Sequence, residues 1–230
     1  MPLRTALLFQ ANNFVGREYL HALQSAGMTP DLIASVGRMS DSSIARERDR
    51  TDGRWNPPAP DAALNIPHYD SLTEDDLWDS LRAAEIDIAI QGGIGILKPA
   101  MLETPRIGFV NVHPGRLPAY KGNTCLEWAL YNEDDIYATA HIIDAGIDTG
   151  PIIFEGRYDI ADNWDYFDLR ANLYAHCARV LITALTLLED AGDDPANILT
   201  VQDPDAGHYW QPIPEDKLEI ARQRLNQGAA

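Results

Sequence analysis

Asn111 and His113 stand two residues apart at the end of an apolar run, so a strand there puts both side chains on one face. Asp148 follows a second such run, inside Ala145-Gly146-Ile147-Asp148-Thr149-Gly150-Pro151. Brought together, these residues supply an amide donor, a proton shuttle and a carboxylate that orients the imidazole and favours its charged form. That set suits transfer of an acyl-type carbon through a tetrahedral oxyanion. No serine or thiol elbow accompanies it, and Cys125, the nearby thiol, is expected to pack in its helix. Singly, each residue has an ordinary explanation. The histidine can be a satisfied structural group, the asparagine a loop cap, and the aspartate an Asx turn before Thr149-Gly150.

The elements that must position them alternate short apolar runs with helix-period segments, the βα signature of a parallel sheet. Ala6-Leu7-Leu8-Phe9 reads as a buried strand, residues 15–25 as a helix closed by Gly27, and residues 31–36 as a second strand. Ser71 and Thr73 each precede an acid three residues on, a capping-box pattern for a helix over 74–84. Strands follow at 86–90 and 107–112, then a helix over 125–131 and strands at 139–143 and 152–157. Residues 163–188 read as a long amphipathic helix lying across the sheet. The expected fold is α/β, a doubly wound, mostly parallel sheet. Residues 1–192 form its catalytic domain, and 193–230 a short extension suited to a small β or subunit-contact element, with a homodimer as the expected assembly. In open sheets of this kind ligands bind in the crevice beyond the strand carboxyl ends.

Two segments resist this pattern. Residues 37–65 form a long excursion with one short helix near 43–50, carrying Arg38, Arg46, Arg48, Arg50 and Arg54 among acids. They read either as a solvated, self-paired face or as an anion site for a phosphorylated substrate. Gly92-Gly93-Ile94-Gly95 lacks the G-x-G-x-x-G spacing of a dinucleotide site and is not the first βα turn. Its glycines point instead to close approach of backbone.

Composition narrows the function classes. The chain has 230 residues, 45% hydrophobic and 23% charged, as a globular domain should. Thirty-five acidic against eighteen basic residues give a net charge of −17, which argues against nucleic acid and anionic membrane as partners. Two distant cysteines, Cys125 and Cys177, make neither a disulfide scaffold nor a zinc site, and no metal is expected. The first ten residues lack a long apolar leader and no run approaches about 18 apolar residues, so a soluble, cytoplasmic protein is expected.

One combination of motifs is specific. Asn111-Val112-His113-Pro114-Gly115-Arg116-Leu117-Pro118 with Tyr120-Lys121-Gly122, Thr139-Ala140-His141, and the run from Asp144 through Asp148 to Ile153 resembles the folate-dependent formyltransferases. That family includes glycinamide ribonucleotide, methionyl-tRNA and amino-sugar enzymes. Gly93-Ile94-Gly95-Ile96-Leu97-Lys98-Pro99 fits upstream, and the likeness is strongest over residues 86–157. The resemblance implies 10-formyltetrahydrofolate as co-substrate. It implies that Asn111 bonds the formyl oxygen, that His113 shuttles a proton, and that Asp148 favours charged His113 and helps take the amine proton. Ile94, Gly95, Ile96 and Leu97, with the loop Asp144, Ala145, Gly146 and Ile147, would grip the pterin, and Met101 and Leu102 would supply apolar wall.

Departures from the family narrow the acceptor. Phe9-Gln10-Ala11-Asn12-Asn13-Phe14 replaces the Gly-Ser-Asn phosphate loop of the ribonucleotide enzymes. The basic C-terminal barrel of the tRNA enzymes and the regulatory domain of the formyltetrahydrofolate hydrolases are not expected. The first choice is therefore a small primary amine, namely a nucleotide-linked 4-amino-4,6-dideoxy sugar. Lys121, Tyr120, Arg54 and Trp55 are the candidate acceptor contacts. Glycinamide ribonucleotide transfer, formate-releasing hydrolysis and non-catalytic folate binding are the alternatives.

Overall fold

A run of buried apolar residues, Ala6, Leu7, Leu8 and Phe9, gives the first strand, β1 (Thr5–Ala11), and an asparagine ends it. Asn13 then caps α1 (Phe14–Ser25), its side chain accepting from Val15 N at 2.8 Å, and so starts the helix one residue earlier than periodicity predicts. The computed structural model describes residues 3–192, 194–203 and 205–228, with side chains to Leu225. β2 (Leu32–Arg38), α2 (Asp41–Arg50), β3 (His68–Tyr69) and α3 (Asp75–Ala83) follow, then β4 (Ile88–Gln91) and a single turn, α4 (Pro99–Leu102). Half of the expected box at α3 forms: the Glu74 side chain accepts from Ser71 N at 2.9 Å.

β5 (Gly108–His113), β6 (Lys121–Gly122), α5 (Cys125–Asn132), β7 (Tyr137–Ile142) and β8 (Ile152–Arg157) come next. The main sheet has seven strands in the order β3-β2-β1-β4-β5-β7-β8. The first five are parallel; β7 and β8 run antiparallel to their neighbours, so the sheet is mostly parallel as expected. Because β7 reverses, the β7–β8 connection must fold back over the sheet for Asp148 to reach His113.

α6 (Tyr166–Ala191) begins three residues later than the apolar pattern suggests. Asp165 and Asp168 form a reciprocal capping box, and this local bonding outweighs the apolar side chain of Trp164. The helix lays Leu169, Leu173, Val180, Leu181, Ala184 and Leu188 on the sheet face that carries Val110, Val112, Ala138 and Ala140. By length and mean hydropathy alone α6 could cross a membrane, although it holds no unbroken apolar run of that length; 56% of its most apolar window is buried in the protein. α2, α5 and α6 are joined by a buried ionic cluster. Glu127 Oε1 accepts from Tyr166 Oη at 2.9 Å and lies 3.3 Å from Arg170 and 3.5 Å from Arg50.

The segment after α6 returns to the sheet. Thr200 bridges antiparallel to Ile152, β9 (Tyr209–Trp210) pairs in parallel with β6, and α7 (Glu215–Gly228) packs on α5. Gly207 approaches Pro118 so closely that a Cβ would lie 1.7 Å from the Pro118 carbonyl oxygen. The extension drawn from the sequence is therefore laid along the rim that follows His113. Asp193, Pro204, Ala229 and Ala230 of that extension, and Met1 and Pro2, lie outside the described residues.

Candidate active site

Alternation along β5 sends Val110 and Val112 into the core beneath α6, and Phe109 to the opposite face with Ile94, Leu97 and Met101. Asn111 and His113 share the Phe109 face. The β5–β7 register sets Asn111 opposite His141 and His113 opposite Thr139, so four polar side chains converge. Thr139 holds the turn after His113: its hydroxyl donates to Gly115 O at 2.7 Å and accepts from Leu117 N at 3.2 Å.

The protonation pattern follows from the carbonyls around the two imidazoles. His113 Nε2 lies 2.7 Å from Tyr120 O, a group that only accepts, so Nε2 carries a hydrogen. His113 Nδ1 therefore faces Asp148 Oδ2, 3.5 Å away. His141 Nδ1 lies 3.0 Å from Ile142 O and donates to it, which leaves Nε2 to accept from Asn111 Nδ2 at 3.2 Å. The amide has a second hydrogen free to meet an incoming oxygen. Burial lowers the pKa of His141 and outweighs the opposing pull of Asp148, with His113 adding to the lowering; a neutral His141 is what accepting from Asn111 requires.

Asp148 is held from a third side by Gly122 N, which donates to Oδ2 at 2.9 Å, and its backbone sits in the left-handed region at φ 56°. Glycine is obligatory at two neighbouring points. A Cβ on Gly115 would lie 2.8 Å from each of His113 Nε2, Tyr120 O and Cys125 Cβ, and one on Gly150 would lie 1.8 Å from Ile142 O. Both thiols are buried, and burial raises their pKa, that of Cys177 to about 12, so neither suits nucleophilic chemistry.

The structure brings Asn111, His113 and Asp148 together, and it adds His141, to which the sequence reading gave no role. The signal for His141 was its place in Thr139-Ala140-His141, but its task depends on the β5–β7 register. Two loops flank the cluster. On the first, Gly93 and Gly95 take φ of 91° and 90°, Ile94 is buried and Ile96 is 90% exposed. Leu97, Met101 and Leu102 pack behind it against the core. On the second, Asp144 organises its own turn, accepting from Gly146 N at 3.0 Å and Thr149 Oγ1 at 2.7 Å, and Ile147 is 57% exposed.

The four expected acceptor contacts are turned inward or already paired. Lys121 is buried and donates to Ala206 O at 2.7 Å. Tyr120 is buried, bonds Asp134 and Asn132, and stacks on Trp210 at 5.5 Å; burial leads the causes that push its pKa up to about 12. Trp55 stacks on Tyr174 at 4.6 Å and donates to Glu18. Arg54 pairs with Asp165 and Asp168 at 2.8 and 2.7 Å, locking the excursion to the start of α6. Arg50 is likewise self-paired, whereas Arg38, Arg46 and Arg48 are exposed and have no ion pair among the described residues. On the same sheet edge as His113, a cavity of about 240 Å³ at the ends of β1 and β2 is lined by Phe9, Asn12, Arg17, Ser35, Pro60 and Ile66, among others. Arg17 bonds only the carbonyls of Pro57 and Pro58 there, and burial lowers its pKa.

Comparison with known proteins places this geometry. The family described as "Formyl transferase" matches residues 3–185. A methionyl-tRNA formyltransferase of Deinococcus radiodurans is 34% identical over 122 residues, covering 52% of this chain and 38% of that one. The chain spans about half the length, or less, of the curated relatives it matches. Those relatives' names do not fit the expectation of no nucleic-acid partner. Among solved structures, glycinamide ribonucleotide transformylase 1 of Symbiobacterium toebii superposes with TM-score 0.61 at 21% identity, covering 87% of this chain and 94% of that one. A sugar N-formyltransferase of Shewanella gives 0.57 at 16%, covering 96% and 87%. At these identities the likeness is one of fold.

Proposed function

The chain belongs to the formyl transferase family, and on that premise we propose that it moves a formyl group from 10-formyltetrahydrofolate to a primary amine on a small molecule. The observation that carries this reading is the Asn111–His141–Asp148–His113 cluster, in which one amide hydrogen of Asn111 is left for a substrate and the Asp148 carboxylate stands 3.5 Å from His113 Nδ1. The amine nitrogen attacks the formyl carbon and the carbonyl electrons move to oxygen. Asn111 Nδ2 donates its free hydrogen to that oxygen, held in place by His141. Asp148 accepts the proton that the attacking amine releases. The carbon–nitrogen bond to the folate then breaks, and the proton taken by Asp148 passes by way of His113 Nδ1 to the departing nitrogen, so that both groups end as they began.

The residues fit such a donor. Ile96 and Ile147 present unpartnered apolar surface on either side of the cluster, suited to a flat heterocycle, and the left-handed glycines expose backbone groups for its polar edge. For the acceptor we propose a nucleotide-linked 4-amino-4,6-dideoxy sugar. The cavity beside Phe9, with Arg17 in no ion pair among the described residues, and exposed Arg38 at the same edge support an anionic, partly apolar ligand. Chain division at residue 192, a cytoplasmic setting and a homodimer accompany this reading. A second reading, an amine carried on tRNA, is favoured by the names of the curated relatives and opposed by the net charge of −17.

The test is incubation with a 10-formyl folate and, in competition, a dTDP- or GDP-linked 4-amino-4,6-dideoxy sugar, glycinamide ribonucleotide and methionyl-tRNA. Preferential formylation of the sugar is expected. Preference for either rival overturns the acceptor assignment, and formate release that ignores every amine overturns transfer itself.

A further inference from the structure

We infer that Gln202, on the segment after α6, is a positioning residue for Asp148, an assignment that rests on the transfer reaction proposed above. The Thr200–Ile152 bridge, with both of its hydrogen bonds at 2.8 Å, delivers Gln202 to the base of the β7–β8 loop. There its side chain is buried, and Nε2 donates to the backbone carbonyls of both Asp148, at 3.2 Å, and Gly150, at 2.6 Å. Two carbonyl neighbours fix which way the amide points. Its own oxygen is then left buried without a hydrogen-bond partner among the described residues. An amide kept at that cost is there for its two donors, since an apolar side chain of equal size would leave no orphan oxygen.

What those donors hold is a strained point. Asp148 is left-handed at φ 56°, and Gly150 packs its Cα against Ile142 O. The other internal tether of this loop, Asp144, bonds Gly146 and Thr149 and leaves the Asp148 carbonyl untouched. Gly122 N steadies one carboxylate oxygen while Gln202 steadies the backbone that bears it. The carboxylate lies 3.5 Å from His113 and 3.8 Å from His141, contacts that a displacement of about 1 Å would break.

Gln202→Met keeps the volume and removes both donors; Gln202→Glu keeps the shape and, as a carboxylate, cannot donate. Both are measured for kcat, folate KM and amide hydrogen exchange. Expected for each is a fall in kcat of about 10–100-fold with folate KM within about threefold. Exchange at the Gly122 amide should quicken at least about tenfold while amides of β1 keep their protection. Unchanged Gly122 exchange overturns the inference, as does kcat within twofold of the parent. So does a general loss of protection or failure of both variants to fold, for Gln202 would then be merely structural. A parent enzyme that formylates no amine sinks the transfer reading alone, because the Gly122 exchange still decides whether Gln202 holds Asp148.

Discussion

The molecule buries two polar clusters on opposite faces of one sheet, and they are built to opposite ends. Glu127, Arg170, Arg50 and Tyr166 join three helices, and no member changes charge near neutral pH. Arginine stays protonated. Burial acts to raise the Glu127 pKa, but Arg170 and Arg50 outweigh it and the net movement is down. Asn111, His113, His141 and Asp148 instead combine two imidazoles with a carboxylate at 3.5 and 3.8 Å, too far for direct hydrogen bonds. One cluster is closed and permanently charged; in the proposed reaction the other admits a substrate and moves a proton. Burial of charge therefore marks neither as a site. The kind of group and the slack around it do.

Substitution can break this contrast. Asp148→Asn should lower kcat by about 10²–10⁴-fold with little change in Tm, read by steady-state kinetics and thermal unfolding. Near wild-type turnover with normal folate binding would dissolve the distinction. Arg170→Met should do the reverse. Removing one partner of a buried pair costs about 3–5 kcal/mol in urea unfolding, while kcat per folded molecule stays within about twofold. Next in size, Asn111→Ala should cost about 10²–10³ in kcat, one oxyanion donor's worth. Combined with Asp148→Asn its effect should be less than the product of the two, since the residues act as a unit.

The two clusters should also separate along pH, where the effect is smallest. His141 and His176 have folded pKa values below the ordinary value near 6.5, so below that pH the unfolded chain takes up protons that the folded one refuses. Stability should decline as pH falls from about 6.5 toward their folded values. Glu127 has a folded pKa below its unfolded value of about 4.3, so its contribution is complete above that pH and disappears beneath it. Urea midpoints across pH should show both steps, and His141→Gln should flatten the upper one. An unchanged upper step would show that His141 is not buried in the neutral form.

The sequence pointed to the proposed catalytic trio because two simple signals converged on it: period-2 spacing at Asn111 and His113, and glycines around Asp148. It could not carry His141, whose role exists only once β7 is set antiparallel to β5. The same limit explains the acceptor side. Lys121 reads as an accessible cation, yet its partner is the carbonyl of Ala206, far along the chain, and Tyr120 is covered by Trp210 from the same distant segment. Whether a basic or aromatic side chain turns outward is decided by what returns to cover it. Helix existence was readable from apolar spacing, whereas the start of α6 was set by two aspartates bonding each other's backbone.

Gly115 has a chemical reach beyond its turn. With no carbon at its Cβ position, His113 Nε2 can touch the Tyr120 carbonyl, and that contact fixes a hydrogen on Nε2. The lone pair or hydrogen left to vary is then on Nδ1, opposite Asp148. The ring nitrogen left to vary thus faces a carboxylate 3.5 Å away, and an absent methyl group chooses which nitrogen that is. A methyl at this position would lie 2.8 Å from both His113 Nε2 and Tyr120 O, so that contact would have to shift. That makes Gly115 a determinant of how the His113 ring is oriented, though it carries no ionisable atom.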